Sequence, residues 1–414
     1  MDYRVSPRKV ELTGALFARG LVHAAKPIVG VIDLEALGQS VRDLRIAFPP
    51  NCLHAYAAKA NCSPGVLTHL RGLGMGIEVA SRPEFEAAVR AGFPGEKIVF
   101  DSPAKTRDDI DSALSRGVIL HIDNFQELER VDDLVRIRKP LSPIGIRVNP
   151  QVGAGGIVST STATSTSKFG VGLGDSGNRD RLISAFTNRP WLRTVHVHVG
   201  SQGCPPELAV EAVKRVVELT VSINTACGGS RISAIDIGGG LPVNFTSEES
   251  KPTFHDYASQ LRTSVPSLFG GSIRMITEFG RALIAKSGFI LARVEYTKVM
   301  GGRAIAITHA GAQVAARTVY EPEDWPLRIS ALDANGRPKT GEVLHQDIAG
   351  PCCFAGDVLA HNRALPLLEP GDYILVHDTG GYYFSSPYFY NSLPPIEVYG
   401  VAGLEANLDL IALT

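Results

Sequence analysis

The chain has 414 residues, 44% hydrophobic and 20% charged, a globular composition that excludes a largely disordered protein. Lys and Arg total 41 against 42 Asp and Glu, so the net charge of −1 gives no global attraction to nucleic acid or to an anionic membrane, and neither is expected as a partner. No apolar run reaches 18 residues, which argues against a transmembrane helix, and MDYRVSPRKVELTGALFARG at the N-terminus lacks the apolar core of a secretory signal.

In chain order, the first strand-like run is Ile28–Asp33 (IVGVID), expected to lead into the main domain from outside. Eight short apolar runs follow: Leu53–Ala57, Ile77–Ala80, Ile98–Asp101, Val118–Ile122, Ile144–Val148, Val195–Val199, Ala234–Ile237 and Ile273–Glu278. Segments with helical apolar spacing separate them, such as Arg82–Ala91 and Leu208–Thr225. Strand–helix alternation predicts an α/β fold with parallel strands. Eight units predict a closed (β/α)8 TIM barrel over residues 31–285, with a doubly wound open sheet as the alternative. Ser159–Ser167 (STSTATSTS) has no apolar face. It reads as a mobile surface loop or, since it follows a barrel strand, as a loop at the site mouth. Beyond residue 285, Phe289–Val299, Arg303–Thr308 and Tyr373–His377 look like strands without long helices between them. Residues 286–414 are therefore expected to form a mainly-β C-terminal domain, joined by the N-terminal segment 1–30.

Six cysteines, at 52, 62, 204, 227, 352 and 353, form no Cys-x-x-Cys pair. Free thiols and a cytoplasmic location are expected, with no metal site.

Barrel enzymes carry their chemistry at the C-terminal ends of the strands. The residues there are Lys59, Glu78, Arg147, His198 with Gly200 and Ser201, Gly238-Gly239-Gly240, and Glu278 with Gly280 and Arg281. Taken singly, each has an ordinary explanation: a solvated lysine, a core histidine, a turn, a surface ion pair. Together they combine a nucleophilic amine, backbone N–H groups and an arginine for a dianion, a stacking imidazole and a carboxylate. That set meets the needs of pyridoxal 5'-phosphate.

The motifs Tyr56-Ala57-Ala58-Lys59-Ala60-Asn61, His198-Val199-Gly200-Ser201, Gly238–Gly240, Glu278-Phe279-Gly280-Arg281, Gly350-Pro351-Cys352-Cys353 and Asp378-Thr379-Gly380-Gly381-Tyr382 resemble, in order, those of the fold type III (alanine-racemase-like) decarboxylases that depend on pyridoxal phosphate. The resemblance runs from about residue 28 to 402 and is nearest to diaminopimelate decarboxylases, with ornithine decarboxylases further off. It implies that Lys59 holds the cofactor as a Schiff base and that Glu278 meets its pyridine nitrogen. His198 would stack on the ring. Ser201, Gly238, Gly239, Gly240, Gly280, Arg281 and Tyr382 would hold the phosphate. Glu78 and Arg147 complete the expected cofactor site, Glu78 standing where the family has an aspartate. Cys353 would come from the partner subunit of a homodimer, on the loop 350–357, and protonate the substrate carbon. Motif register alone sets Cys353 above Cys352 for that role, and Cys352 otherwise reads as a small packed side chain. Arg317, Tyr320, Cys353, Phe354 and Tyr382 are the expected contacts to a small amino-acid substrate.

Two departures bear on that substrate. The cysteine is followed by Phe354 and Ala355 where diaminopimelate enzymes have Glu and Ser and ornithine enzymes have Asp, the acid that reads a distal ammonium. The family's Arg-Pro-x-x-Tyr is one residue shorter here, at Arg317–Tyr320. The resemblance thus implies decarboxylation of an amino acid to an amine and carbon dioxide, with a substrate whose far end is neutral, aromatic or acidic. The alternatives are diaminopimelate decarboxylation proper, racemisation on the same fold, and a non-catalytic homologue. The last is disfavoured by the presence of both Lys59 and Cys353.

Overall fold

The computed structural model describes residues 3–403 and 409–413. Eight parallel strands, Leu53–Ala57, Gly76–Val79, Ile98–Asp101, Ile119–Ile122, Ile144–Asn149, Leu192–His196, Ala234–Asp236 and Arg274–Thr277, form the barrel. The fourth strand pairs with the fifth and the first with the eighth, so the sheet closes and the open-sheet alternative is excluded. The sixth strand begins three residues before the expected run and ends at His196, which leaves His198 on the loop beyond it. The chain keeps Val197 and Val199 buried after the strand has ended, and that extended the apolar alternation in the sequence.

Helices Pro7–Ala18 and Leu34–Ala47 flank the strand Ile28–Asp33. That strand is no barrel member: it pairs antiparallel with Gly288–Met300 and parallel with Val398–Ala402. The second sheet also contains Arg303–Thr308, Ile329–Leu332, Val343–Ala349, Val358–Pro366, Tyr373–Val376 and Asp409–Ala412. Leu12 and Leu16 of the first helix bury against Val29, Val31, Phe289 and Leu291 of this sheet. Apolar burial of this kind is worth about 1.5–3 kcal/mol per large side chain. One helix, Ala312–Tyr320, interrupts the β region and carries Arg317 and Tyr320.

A buried ionic network ties the parts together. Lys9 on the first helix meets Glu248 from the barrel loop at 2.9 Å and His377 Nδ1 at 3.0 Å. Arg328 bridges Glu248 at 3.1 Å and Asp378 at 3.0 Å. Lys286 reaches Asp378 at 3.2 Å. Burial holds His377 down to about 4, and the His377 and Lys9 partners outweigh burial to hold Glu248 well below the ordinary carboxylate range.

The sign of the pH dependence follows. Glu248 stabilises the fold above its unfolded pKa and loses that contribution in acid. Neutral His377 does the same between about 6.5 and about 4, because the unfolded chain takes up a proton there and the folded chain does not. Thermal unfolding is therefore expected to shift downward from pH 7 to pH 4. Glu248→Gln should cost about 1 kcal/mol at neutral pH, since the carboxylate is 34% exposed and partly screened. It should also flatten the acid limb below about pH 4.5. Calorimetry over that range checks both.

Candidate active site

Side chains two apart on a strand share a face, so a barrel strand stacks its inward residues in layers. Leu53, Ala55, Val99, Ile119, Ala234 and Ile276 form an apolar floor. Two residues further along their strands stand Asp101, His121, Asp236 and Glu278, joined by His196 and Arg147. These six polar side chains are all buried, between 0% and 5% exposed. Arg147 Nη1 donates to Asp101 Oδ2 at 2.7 Å and its guanidinium lies 4.4 Å from the Phe169 ring centre. His196 Nε2 lies 3.4 Å from Glu278 Oε2. Burial opposes the Glu278 charge, but His196 overrides it and brings the carboxyl down to about 2.

Above this layer, Lys59 sits on a single 3-10 turn, Ala58–Ala60, at the end of the first barrel strand. Its Nζ donates to Glu78 Oε2 at 3.1 Å. Burial opposes the Lys59 charge, yet Glu78 and its neighbours raise the ammonium above its ordinary value. Burial pushes Glu78 up to about 8 despite Lys59. Both partners hold a proton more tightly than usual. The turn is fixed from the β region: Tyr382 N–H donates to the Ala60 carbonyl at 2.8 Å, Ser385 Oγ to the same oxygen at 2.8 Å, and Asn61 Nδ2 to the Gly380 carbonyl at 3.0 Å. Tyr382 adopts φ 68°, a left-handed conformation uncommon for a non-glycine residue.

The loop after the seventh strand needs its glycines. Gly238 and Gly240 have φ 67° and 95°, and a Cβ on Gly239 would stand 2.1 Å from the Glu278 carbonyl oxygen. Gly239 N–H donates to His198 Nδ1 at 3.2 Å, which fixes that nitrogen as the acceptor, and burial lowers the His198 imidazole to about 3. The ring is neutral and suited to stacking. The Ser/Thr run is no free surface loop. Thr162 Oγ1 donates to the His198 carbonyl at 2.7 Å, Thr162 N–H to Val199 at 2.8 Å, and Ser201 N–H to Thr160 at 3.1 Å. The run braces the backbone that carries His198 and Ser201.

A cavity beside Lys59 is lined by Ala57, His198, Ser201, Gly240, Glu278, Gly280, Arg281 and Tyr382, among others. The Arg281 guanidinium lies 4.3 Å from the Tyr382 ring centre and 4.8 Å from Trp325, and Arg317 lies 5.1 and 5.0 Å from the same two rings. Two cations thus share two aromatic faces.

Residues 34–285 match the family described as "Pyridoxal-dependent decarboxylase, pyridoxal binding domain". The chain belongs to this family. A diaminopimelate decarboxylase of Pseudomonas aeruginosa is 33% identical over 361 residues, 87% of this chain and 83% of that protein. The crystal structure of the Helicobacter pylori diaminopimelate decarboxylase complexed with L-lysine superposes with a TM-score of 0.82 at 27% identity, covering 95% of each chain. The lysine/ornithine decarboxylase of Vibrio vulnificus shares the fold, with a TM-score of 0.78 at 22% identity over 97% of this chain and all of that one.

The protein is a fold type III carboxy-lyase that uses pyridoxal phosphate, and the residues of this decarboxylase fit the cofactor. Among the described residues, Glu278 Oε1 and Arg281 Nε and Nη1 are buried without a hydrogen-bond partner, one acceptor and one cation ready for a ring nitrogen and a phosphate.

Cys353 and Phe354 lie elsewhere. Asp357 accepts from the N–H groups of Ala312 and Cys352, both at 2.6 Å, and fixes the loop 350–357. Cys352 is buried, 3.8 Å from Gln313 Oε1, with its thiol pushed up to about 11 by burial, whereas Cys353 is exposed. Neither cysteine lines the cavity at Lys59.

Sequence reading missed Asp101, His121, His196 and Trp325. The period-two rule applied from Val99, Ile119 and Thr194 would have found the first three; nothing local marks Trp325. Gly239→Ala, an overpacking change worth about 1–3 kcal/mol, is expected to weaken pyridoxal phosphate retention about tenfold. Equilibrium dialysis measures it.

Proposed function

We propose that this decarboxylase removes the α-carboxylate of an amino acid whose distal end is neutral, aromatic or acidic, in a site completed by a second copy of the chain. The observation that carries the substrate reading is the aromatic cluster around Phe354. Its ring stacks on Tyr320 with centres 5.7 Å apart and meets Tyr390 edge-on at 5.1 Å. Tyr388 packs on both Tyr320 and Tyr390 and its hydroxyl lies 3.3 Å from that of Tyr320. No carboxylate belongs to this cluster. Glu321, the nearest acid in sequence, accepts from Trp325 Nε1 at 3.3 Å. Tyr320 and Phe354 stack on one face each, and the cluster offers a ligand aromatic surface and the hydroxyls of Tyr320, Tyr388 and Tyr390. A distal ammonium there would meet neutral acceptors only, with no carboxylate of the cluster to pair its charge.

The residues then divide the work. Lys59 would hold the cofactor covalently, with Glu78 placed to take and return the amine's proton. Glu278 would pair with the ring nitrogen, neutral His198 would stack on the ring, and Arg281, Ser201, Tyr382 and the loop Gly238–Gly240 would bind the phosphate. Pyridoxal phosphate supplies an electron-accepting ring for the pair left when carbon dioxide departs. Arg317 and Tyr320 orient the substrate by donating to its carboxylate. Arg147, locked on Asp101, supports the site from below.

Cys353, exposed on its loop and absent from the cavity at Lys59, donates the proton to the substrate carbon from the partner subunit. Mixing Lys59→Ala with Cys353→Ala chains is then expected to restore about a quarter of the activity per total site by random assortment of dimers. No recovery after demonstrated exchange overturns the shared site.

Carbon dioxide release over a panel of amino acids tests the substrate. Diaminopimelate, lysine and ornithine are expected to be poor. A kcat/KM for meso-diaminopimelate on the order of 10⁴ M⁻¹s⁻¹ or above would contradict the reading. Phe354→Glu with Ala355→Ser is expected to move preference toward diaminopimelate.

A further inference from the structure

Beneath the cavity lie two carboxyl groups on neighbouring strands, with no cation between them. Asp236 is 0% and Glu278 4% exposed, and their carboxylate oxygens, with a nitrogen each from His121 and His196, lie within 4.8 Å of one another. The two oxygens of Asp236 are not equivalent. Oδ1 accepts from Gly238 N–H at 2.9 Å; Oδ2 is buried, 3.7 Å from His121 Nδ1, accepts from no donor among the described residues, and the Asp236 side chain is within hydrogen-bonding reach of the Glu278 carboxyl. An oxygen that accepts a backbone N–H is the unprotonated one, and the other is free to carry a proton.

We propose that Asp236 is a positioning acid that keeps a proton on Oδ2 beside Glu278, so that the pair carries one negative charge and presents one carboxylate to the cofactor's ring nitrogen. The inference rests on the assignment of Glu278 to that nitrogen.

Every element facing Asp236 agrees with this count. Arg147 and Asp101 neutralise each other at 2.7 Å. Burial and the His196 ring hold His121 down to about 3, so it supplies no positive charge. Lys59 is engaged by Glu78. His196 lies against Glu278, its Nε2 3.4 Å from Oε2. Burial and then the Glu278 charge push the Asp236 carboxyl well above the ordinary range. Two like charges this close in a dry site do not both ionise. Through Oδ1 the same acid also orders Gly238, the first residue of the loop offered to the phosphate. One residue thus joins the two ends of the cofactor site, and its neutral form is the one that leaves Glu278 anionic.

The test begins on cofactor-free protein. Infrared spectroscopy at neutral pH is expected to show protonated-carboxyl C=O absorption that Asp236→Asn removes. Glu78→Gln identifies any component from Glu78, pushed up to about 8, and Asp123→Asn and Glu127→Gln identify those of the two other buried acids that burial raises. In the loaded protein, Asp236→Asn is expected to retain pyridoxal phosphate within about threefold of the parent, because a neutral group replaces a neutral group. It should also lose an alkaline transition in the cofactor's visible absorption. Should Asp236→Asn not fold, Glu278→Gln in cofactor-free protein serves instead: without the neighbouring charge, the Asp236 band is expected to titrate about 1–3 pH units lower. Carboxyl absorption unchanged in Asp236→Asn, no downward shift in Glu278→Gln, or a stoichiometric divalent metal that Asp236→Asn releases would each overturn the proposal. If Glu278→Gln instead leaves the visible absorption of the bound cofactor unaltered, the ring-nitrogen assignment fails while the infrared result on Asp236 stands.

Discussion

Everything at the site depends on how one short turn is held. The Ala60 carbonyl accepts from both Tyr382 N–H and Ser385 Oγ, and Asn61 donates back to Gly380. These contacts join the end of the first barrel strand to a loop more than 300 residues later. They fix the direction of Lys59 and bring Tyr382 over Arg281 in the same step. The left-handed Tyr382 backbone is the strain this closure requires, and it persists because hydrogen bonds on both sides over-determine it. The ionic network of Lys9, Glu248, Arg328, His377 and Asp378 braces the same junction from behind.

The barrel interior shows a conflict between stability and chemistry. Its floor is apolar and close-packed. One layer higher, six buried polar or charged side chains replace what could have been more core. Their internal pairings, Arg147 with Asp101 and His196 with Glu278, limit the cost of burial without removing it. Among the described residues, Glu278 Oε1 and Arg281 Nε and Nη1 are left without partners, as are atoms of Asp101, His121, His196 and Asp236, and it is Glu278 and Arg281 that line the cavity where a ring nitrogen and a phosphate would complete them. A protein that left such groups unpaired for no ligand would lose stability with nothing in return.

Much of this was legible in the residues. Short apolar runs set between helical segments found the barrel strands, since parallel strands buried on both faces read as such runs. The glycine triplet and Arg281 were legible because a phosphate cradle needs those residue types. The strands Val343–Ala349 and Val358–Pro366 were not: the polar triplets His345-Gln346-Asp347 and His361-Asn362-Arg363 interrupt their apolar residues. Trp325 was invisible for another reason. It stacks on arginines 44 and 8 residues away, and no local pattern records such a contact. The Ser/Thr run misled because its role is carried by hydroxyl-to-backbone bonds, which leave no hydrophobic signature.

The central claim is that the turn places Lys59, and no other lysine, where the cofactor is attached. Lys105, buried against Glu127 at 3.0 Å, and Lys286, against Asp378 at 3.2 Å, do not line the cavity that Lys59 lines. Borohydride reduction of the protein loaded with pyridoxal phosphate, followed by proteolysis and mass spectrometry, tests this most directly. A pyridoxyl group on the peptide containing Lys59 is the expected result. The same label on Lys105, Lys286 or any other lysine, with Lys59 unmodified, would contradict the account.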